Sequence, residues 1–123
     1  GDAETFYNSG VEASILYYGG TSAEVTAYLA QPTVAYATAT GDYKQKIGTQ
    51  KWISLFNRGF EAWTEYRRLD WPVLATTVVS ELPVPKRMIY PTTEAAVNGA
   101  NYNEASSAIG GDDLYTPLFW DVN

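Results

Sequence analysis

The residues able to do chemistry in this chain are carboxylates, arginines and aromatic rings. Cysteine and histidine are both absent. That removes thiolate chemistry, disulfides, serine–histidine–aspartate triads and the common zinc sites. Glu61 and Glu65 fall one helical turn apart. Paired carboxylates can perform acid–base work on a glycosidic bond when they face each other at roughly 5 to 9.5 Å. Arg58 and Arg68, however, each stand three residues from one of them, within ion-pair reach, and structural pairing is the better reading. Arg67, Arg68 and Arg87 can grip a carboxylate or an acidic sugar. The same arginines also suit a structural role, tying a helix end to a loop through carbonyls. Asp112, Asp113 and Asp121 offer oxygen ligands for calcium, but their order does not match an EF-hand loop, and a solvated acidic tail is the better reading. No metal site and no cofactor site are assigned. Gly110-Gly111 reads as a turn, since no Lys-Ser/Thr accompanies it as a phosphate loop requires. Tyr43, Trp71 and Tyr102 lie at element ends, where an aromatic ring either stacks on a sugar or seals a loop joint. These three are the candidate ligand-binding residues.

The elements that must position these groups are helical. Asp2 is an N-cap candidate for a helix from Ala3 to Tyr18, on which Phe6, Gly10, Ala13 and Tyr17 share a face. Gly19-Gly20 ends it. Thr21 to Glu24 has the form of a capping box and opens a short helix to about Ala30. Residues 33–40 read as a connector. Asp42, with Gln45 three residues on, caps a long helix from Tyr43 to about Leu69. Trp52, Phe56, Gly59, Trp63 and Tyr66 form its stripe, and helical spacing makes Trp52, Phe56 and Trp63 core residues before they are a binding face. Gly59 is costly in a helix interior. It is expected to admit a close helix crossing, as Gly10 is on the first helix. Trp71-Pro72 closes this helical segment, residues 2–72.

Residues 73–123 have another texture. Val73 to Val79 is apolar and β-branched, a strand or a buried extended segment. Leu82-Pro83-Val84-Pro85 is extended, because each proline drives the preceding residue out of the helical region. Thr92 or Thr93 caps a short helix from Glu94 to Val97. The tail is expected to be irregular, with a helical turn around Glu104 to Ala108.

Composition bounds the function. The chain has 123 residues, 46% of them hydrophobic, with 10 Tyr, 4 Trp and 4 Phe. A folded domain with a packed aromatic core or a carbohydrate-facing surface fits this content. The net charge of −6 argues against nucleic acid, whose phosphates need Lys and Arg to displace counterions. No run approaches the roughly 20 apolar residues of a membrane helix. The two main helices, each with a central glycine and an aromatic face, are loosely similar to a tetratricopeptide pair.

Five motifs then agree in order and spacing. Gly10-Val11-Glu12-Ala13-Ser14 comes first. The stretch from Ile47 to Arg68 carries I-x-x-Q-K-W, E-A-W and Y-R-R. Val84-Pro85-Lys86-Arg87-Met88-Ile89-Tyr90-Pro91 follows, then Glu94, Asn98, Asn101 and Tyr102 as E-x-x-x-N-x-x-N-Y. Thr116 to Asp121 ends the series as T-x-x-x-W-D. Together they resemble the C-terminal part of the SusD/RagB family of nutrient-binding lipoproteins.

The resemblance implies an all-α fold, a tetratricopeptide-like helix pair with an irregular C-terminal segment wrapped on it. It implies a non-enzymatic protein of the outer membrane and cell surface, lipid-anchored through an N-terminal region outside this chain. The implied ligand is a glycan or oligosaccharide, captured for a TonB-dependent transporter. The missing N-terminal part of the same protein is a further implied partner. Two rivals stand beside this reading: a helical-repeat scaffold that binds protein, and a glycoside hydrolase fragment.

Overall fold

The computed structural model describes residues 2–76 and 81–121. The chain divides into two compact units, Gly1–Val73 and Leu74–Asn123. The first holds α1 (Ala3–Tyr17), α2 (Ser22–Leu29), α3 (Tyr43–Ser54) and α4 (Gly59–Leu69). The second holds α5 (Glu94–Val97) and α6 (Gly99–Ala108). No strand occurs among the described residues, so the fold is all-α.

In the first unit the helix starts follow from local capping. The Asp2 carboxylate accepts from Thr5 N at 2.8 Å, satisfying one of the orphan donors of α1. Thr21 and Glu24 form a reciprocal box on α2: Glu24 N donates to Thr21 Oγ1 and Thr21 N donates to Glu24 Oε2. Asp42 accepts from Gln45 N at the start of α3. Gly19, at φ 87°, leaves α1 through a left-handed turn that glycine tolerates. α1 packs on α2, α3 on α4, and α1 on α3, so two helical hairpins stack. The connector 31–42 is a series of turns, and Tyr7 Oη pins it by donating to the Val34 carbonyl at 2.7 Å. Tyr7, Val11, Val25, Val34, Ala62 and Leu69 are buried.

The expected single helix from Tyr43 to Leu69 is two helices. Its hydrogen-bond ladder is cut by a group distant in sequence. The hydroxyl of Tyr18 donates to the Ser54 carbonyl at 2.8 Å and contacts Asn57 Oδ1 at 3.0 Å. Arg58 N, which would meet Ser54 O in a continuous helix, donates instead to the Leu55 carbonyl. Asn57 and Gly59 are both weak helix formers, so the turn costs little.

This break overturns the expected role of Gly59. It is the first residue of α4, and a Cβ built on it meets nothing within 4 Å; the same holds at Gly10. The close approach is at Gly48, where a Cβ would stand 2.7 Å from Trp71 Cβ and 3.1 Å from the Trp71 carbonyl oxygen. The aromatic stripe is also less buried than its spacing implies. Phe56 is 73% exposed and Trp52 36%. Trp52 meets Tyr66 edge-on at 6.2 Å.

In the second unit, residues 82–85 form no helix. Lys86 N and Arg87 N both donate to the Leu114 carbonyl, holding the proline-rich segment against the tail. The tail carries a ten-residue helix, α6, where only a turn was expected. Its small polar residues give no apolar stripe, which is why periodicity missed it. Gly110 and Gly111, at φ 85° and 120°, follow α6. Of the expected strand or buried extended segment over Val73 to Val79, residues 73–76 have no strand structure and Val73 is 74% exposed, while 77–79 lie outside the described residues.

Candidate functional site

The first unit presents a groove of about 580 Å³ bordered by Ile15, Tyr18, Tyr28, Gln31, Ile53 and Phe56. Tyr18 is central to it. Its ring meets Phe56 at 5.1 Å and Tyr17 at 5.0 Å, while its hydroxyl is spent on Ser54 and Asn57. The groove is therefore mainly apolar, with Glu24 and Gln31 at its border and with Tyr28 Oη and Gln50 Oε1 bonded to each other at 3.1 Å beside it.

The second unit presents a smaller cleft of about 350 Å³ bordered by Tyr90, Pro91, Glu94, Asn98, Asn101 and Tyr102. Asp112 organises the residues behind it. Its side chain is 7% exposed and forms an ion pair with Arg87 Nη2 at 3.1 Å. It also accepts from Tyr90 N at 3.1 Å and from Tyr102 Oη at 3.2 Å. Burial, and then the bond to Asp112 and its charge, raise the Tyr102 hydroxyl above its ordinary range, with Arg87 opposing. The phenol is thus held protonated as a donor. The Arg87 guanidinium lies 4.8 Å from the Tyr90 ring centroid, a cation–π contact. Its Nη1 has no hydrogen-bond partner among the described residues.

The three candidate aromatics occupy different settings. Tyr43, the first residue of α3, is 57% exposed. Trp71 is half-buried, with its backbone and Cβ against Gly48. Tyr102 stands in the cleft of the second unit. Sequence reasoning took Asp112 for a solvated tail residue, yet it is the buried acceptor at the back of this cleft. A buried arginine demands a carboxylate, but three aspartates were available and nothing local chose among them.

The other charged candidates named from the sequence each have a partner. Glu65 is bound by Lys51 at 2.9 Å and by Arg68 at 2.6 Å. Burial acts to raise its carboxyl, but the hydrogen bonds and charges of Arg68 and Lys51 outweigh this and leave it lowered. Glu61 faces Arg58 at 4.0 Å. Arg67 is buried and lies over the Trp63 ring at 3.8 Å. Asp121, also buried, pairs with Lys86 at 3.0 Å. Asp113 accepts from Tyr115 N. No cluster of three or more metal-ligating acids occurs among the described residues.

Comparisons with known proteins place this geometry in context. A SusD-like family described as starch-binding and associating with the outer membrane matches residues 1–91. Among solved structures, the chain is similar to a protein titled Bacteroidetes AC2a SusD-like, at 33% identity and TM-score 0.86. The match covers 100% of this chain and 26% of that one. It is also similar to a chitin-binding protein at 37% identity and TM-score 0.80, covering 100% of this chain and 29% of that one. The chain thus spans less than a third of the length of these relatives. A search of curated proteins gives no match.

Proposed function

The chain belongs to the SusD-like family, and we propose that it is the C-terminal part of a cell-surface glycan-binding protein that works without catalysis. The observation that carries this reading is the agreement of the family match over residues 1–91 with a SusD-like and a chitin-binding structure that each match the whole chain. The acid–base alternative is disfavoured by the charges themselves. A general acid needs a raised carboxyl, whereas Glu65 is lowered and held by two cations. The complete protein would be lipid-anchored at the outer membrane and pass its glycan to a TonB-dependent transporter. No described helix is long and apolar enough to cross a membrane. Titration calorimetry of the complete polypeptide containing this chain, against malto- and chito-oligosaccharides, tests the reading. Binding of either supports it. Binding of neither, together with turnover of a chromogenic glycoside, would favour a hydrolase.

One observation favours a second reading, a helical scaffold that binds protein. The first unit's groove is walled by exposed Ile53, Tyr18 and Phe56, a surface that helical hairpins ordinarily cover by stacking on further helices. In the glycan reading this groove is covered by the N-terminal part of the same protein. Sedimentation of the chain alone separates the two. Self-association that the added N-terminal part abolishes supports coverage in cis. A monomer that keeps its groove open within the complete polypeptide and binds peptides there supports the scaffold.

A further inference from the structure

We propose that the cleft of the second unit is a contact site for one ring of a neutral oligosaccharide, an inference that rests on the glycan-binding reading above. Its volume of about 350 Å³ sits at the small end of ligand pockets, roughly 300–1,000 Å³. Tyr90 and Tyr102 line it edge-to-face, with centroids 6.1 Å apart and planes at 78°. A ring face offers negative π density to the C–H bonds of a sugar. Both tyrosines are fixed in advance by Asp112, one through its backbone N–H and one through its hydroxyl. Preorganisation of this kind lowers the ordering cost of binding.

The polar lining is of the type that neutral hydroxyls require. Asn98 stands at the N-cap position of α6, where asparagine ordinarily accepts a backbone N–H. It makes no such bond. Its amide lies along the cleft instead: Nδ2 donates to Glu94 Oε2 at 3.3 Å, and Oδ1 accepts from Asn101 Nδ2 at 2.7 Å. Each amide has two N–H donors and an oxygen with two lone pairs. The chain of three side chains therefore retains donors and acceptors for hydroxyls that both give and take hydrogen bonds. No lysine or arginine lines the cleft, and its one formal charge is the Glu94 carboxylate. An acidic sugar would meet repulsion from Glu94 with no cation in the lining, since the nearby Arg87 is buried and paired with Asp112. The apolar groove of the first unit lacks this succession of amides, which is why the cleft is the assigned site despite its smaller volume.

The test is an NMR titration of the ¹⁵N-labelled chain with maltoheptaose, chitohexaose and an oligogalacturonate. A single-ring contact predicts a Kd of millimolar order, nearly independent of salt. Amide shifts should cluster between Tyr90 and Tyr102 with at least one neutral sugar and be absent with the galacturonate. Asn101→Ala, at an exposed position, should weaken binding by about tenfold and leave distant resonances in place. Shifts confined to α1, α2 and α3, equal binding by Asn101→Ala, or tighter binding of the galacturonate would each overturn the site. If the complete polypeptide binds neutral glycans and this chain does not, the site fails while the glycan reading stands. If neither binds, both fail.

Discussion

The two units are held together by different physics. Every buried apolar residue named above, from Tyr7 to Leu69, belongs to the first unit, whereas the buried residues among those described in the second are Arg87 and Asp121. The first unit follows the ordinary helical plan of local caps at each start and apolar faces packed hairpin on hairpin. The second leaves much of its apolar material uncovered, with Met88, Val97 and Phe119 all exposed. Its distant segments are joined by charge pairs, Arg87 to Asp112 and Lys86 to Asp121. Hydrophobic burial is non-directional and tolerates small rearrangement. A buried ion pair does not: removing one partner strands the other in a medium that solvates it poorly. The cleft thus stands on the less forgiving of the two foundations, which fits a site whose geometry must be fixed.

The largest effect expected from breaking this contrast is at Arg87. Arg87→Met removes the cation and leaves Asp112 buried, with only Tyr90 N and Tyr102 to stabilise its charge. The expected loss is about 3–5 kcal/mol. Hydrogen exchange should show it as lost protection over α6 while α1 and α3 keep theirs. The double variant Arg87→Met/Asp112→Leu should recover much of the loss, because it removes the stranded charge. Equal destabilisation of both units by the single variant would mean that they share one cooperative core and that the contrast is wrong.

A smaller effect, of opposite sign at two glycines, sharpens the account of the first unit. Gly48→Ala places a Cβ against the backbone oxygen and Cβ of Trp71, with Leu69 Cβ at 3.4 Å. None of these is a flexible side-chain end, and the cost should be about 1–3 kcal/mol. Gly59→Ala enters open space and should stabilise by about 0.4–1 kcal/mol, through the unfolded chain and helix propensity. Thermal melts of the two variants check both signs. A destabilising Gly59→Ala would restore the helix crossing that the structure does not show.

What could be read in advance follows the same division. The caps at Asp2, Thr21 and Asp42 were legible because donor and acceptor lie three residues apart. The break between α3 and α4 was not, because the hydroxyl that takes the Ser54 carbonyl comes from Tyr18, 36 residues earlier. The stripe of Trp52, Phe56 and Trp63 was read as continuous for the same reason: periodicity assumes an unbroken helix. α6 escaped because Gly99–Ala108 offers few apolar residues to set a phase. At the cleft, Asn98, Asn101 and Tyr102 were visible as a family pattern, and Arg87 as a tether. That Arg87, Tyr90 and Tyr102 converge on one buried aspartate is a tertiary fact with no local trace.

The smallest expected effect lies in the capping box of α2, and it tests whether the first unit's local contacts respond to pH where burial does not. The Glu24 carboxylate accepts from the backbone N–H and the hydroxyl of Thr21. Those bonds, the backbone one foremost, hold its pKa below the ordinary 4.5. A folded-state value below the unfolded one means that the contribution is fully present above about 4.5 and disappears as pH falls through the lowered value. Glu24→Gln should therefore weaken the protein slightly at neutral pH and not at all once the wild-type carboxylate is protonated. Urea midpoints of wild type and variant should converge on acidification, beginning near 4.5. Thr21→Ala, which removes the cap oxygen itself, should cost about 1 kcal/mol. Most of that should persist in acid, since a hydroxyl does not titrate there. If the Glu24→Gln gap stays constant with pH, the carboxylate contributes through packing alone and the reciprocal bond to Thr21 N is not formed in solution.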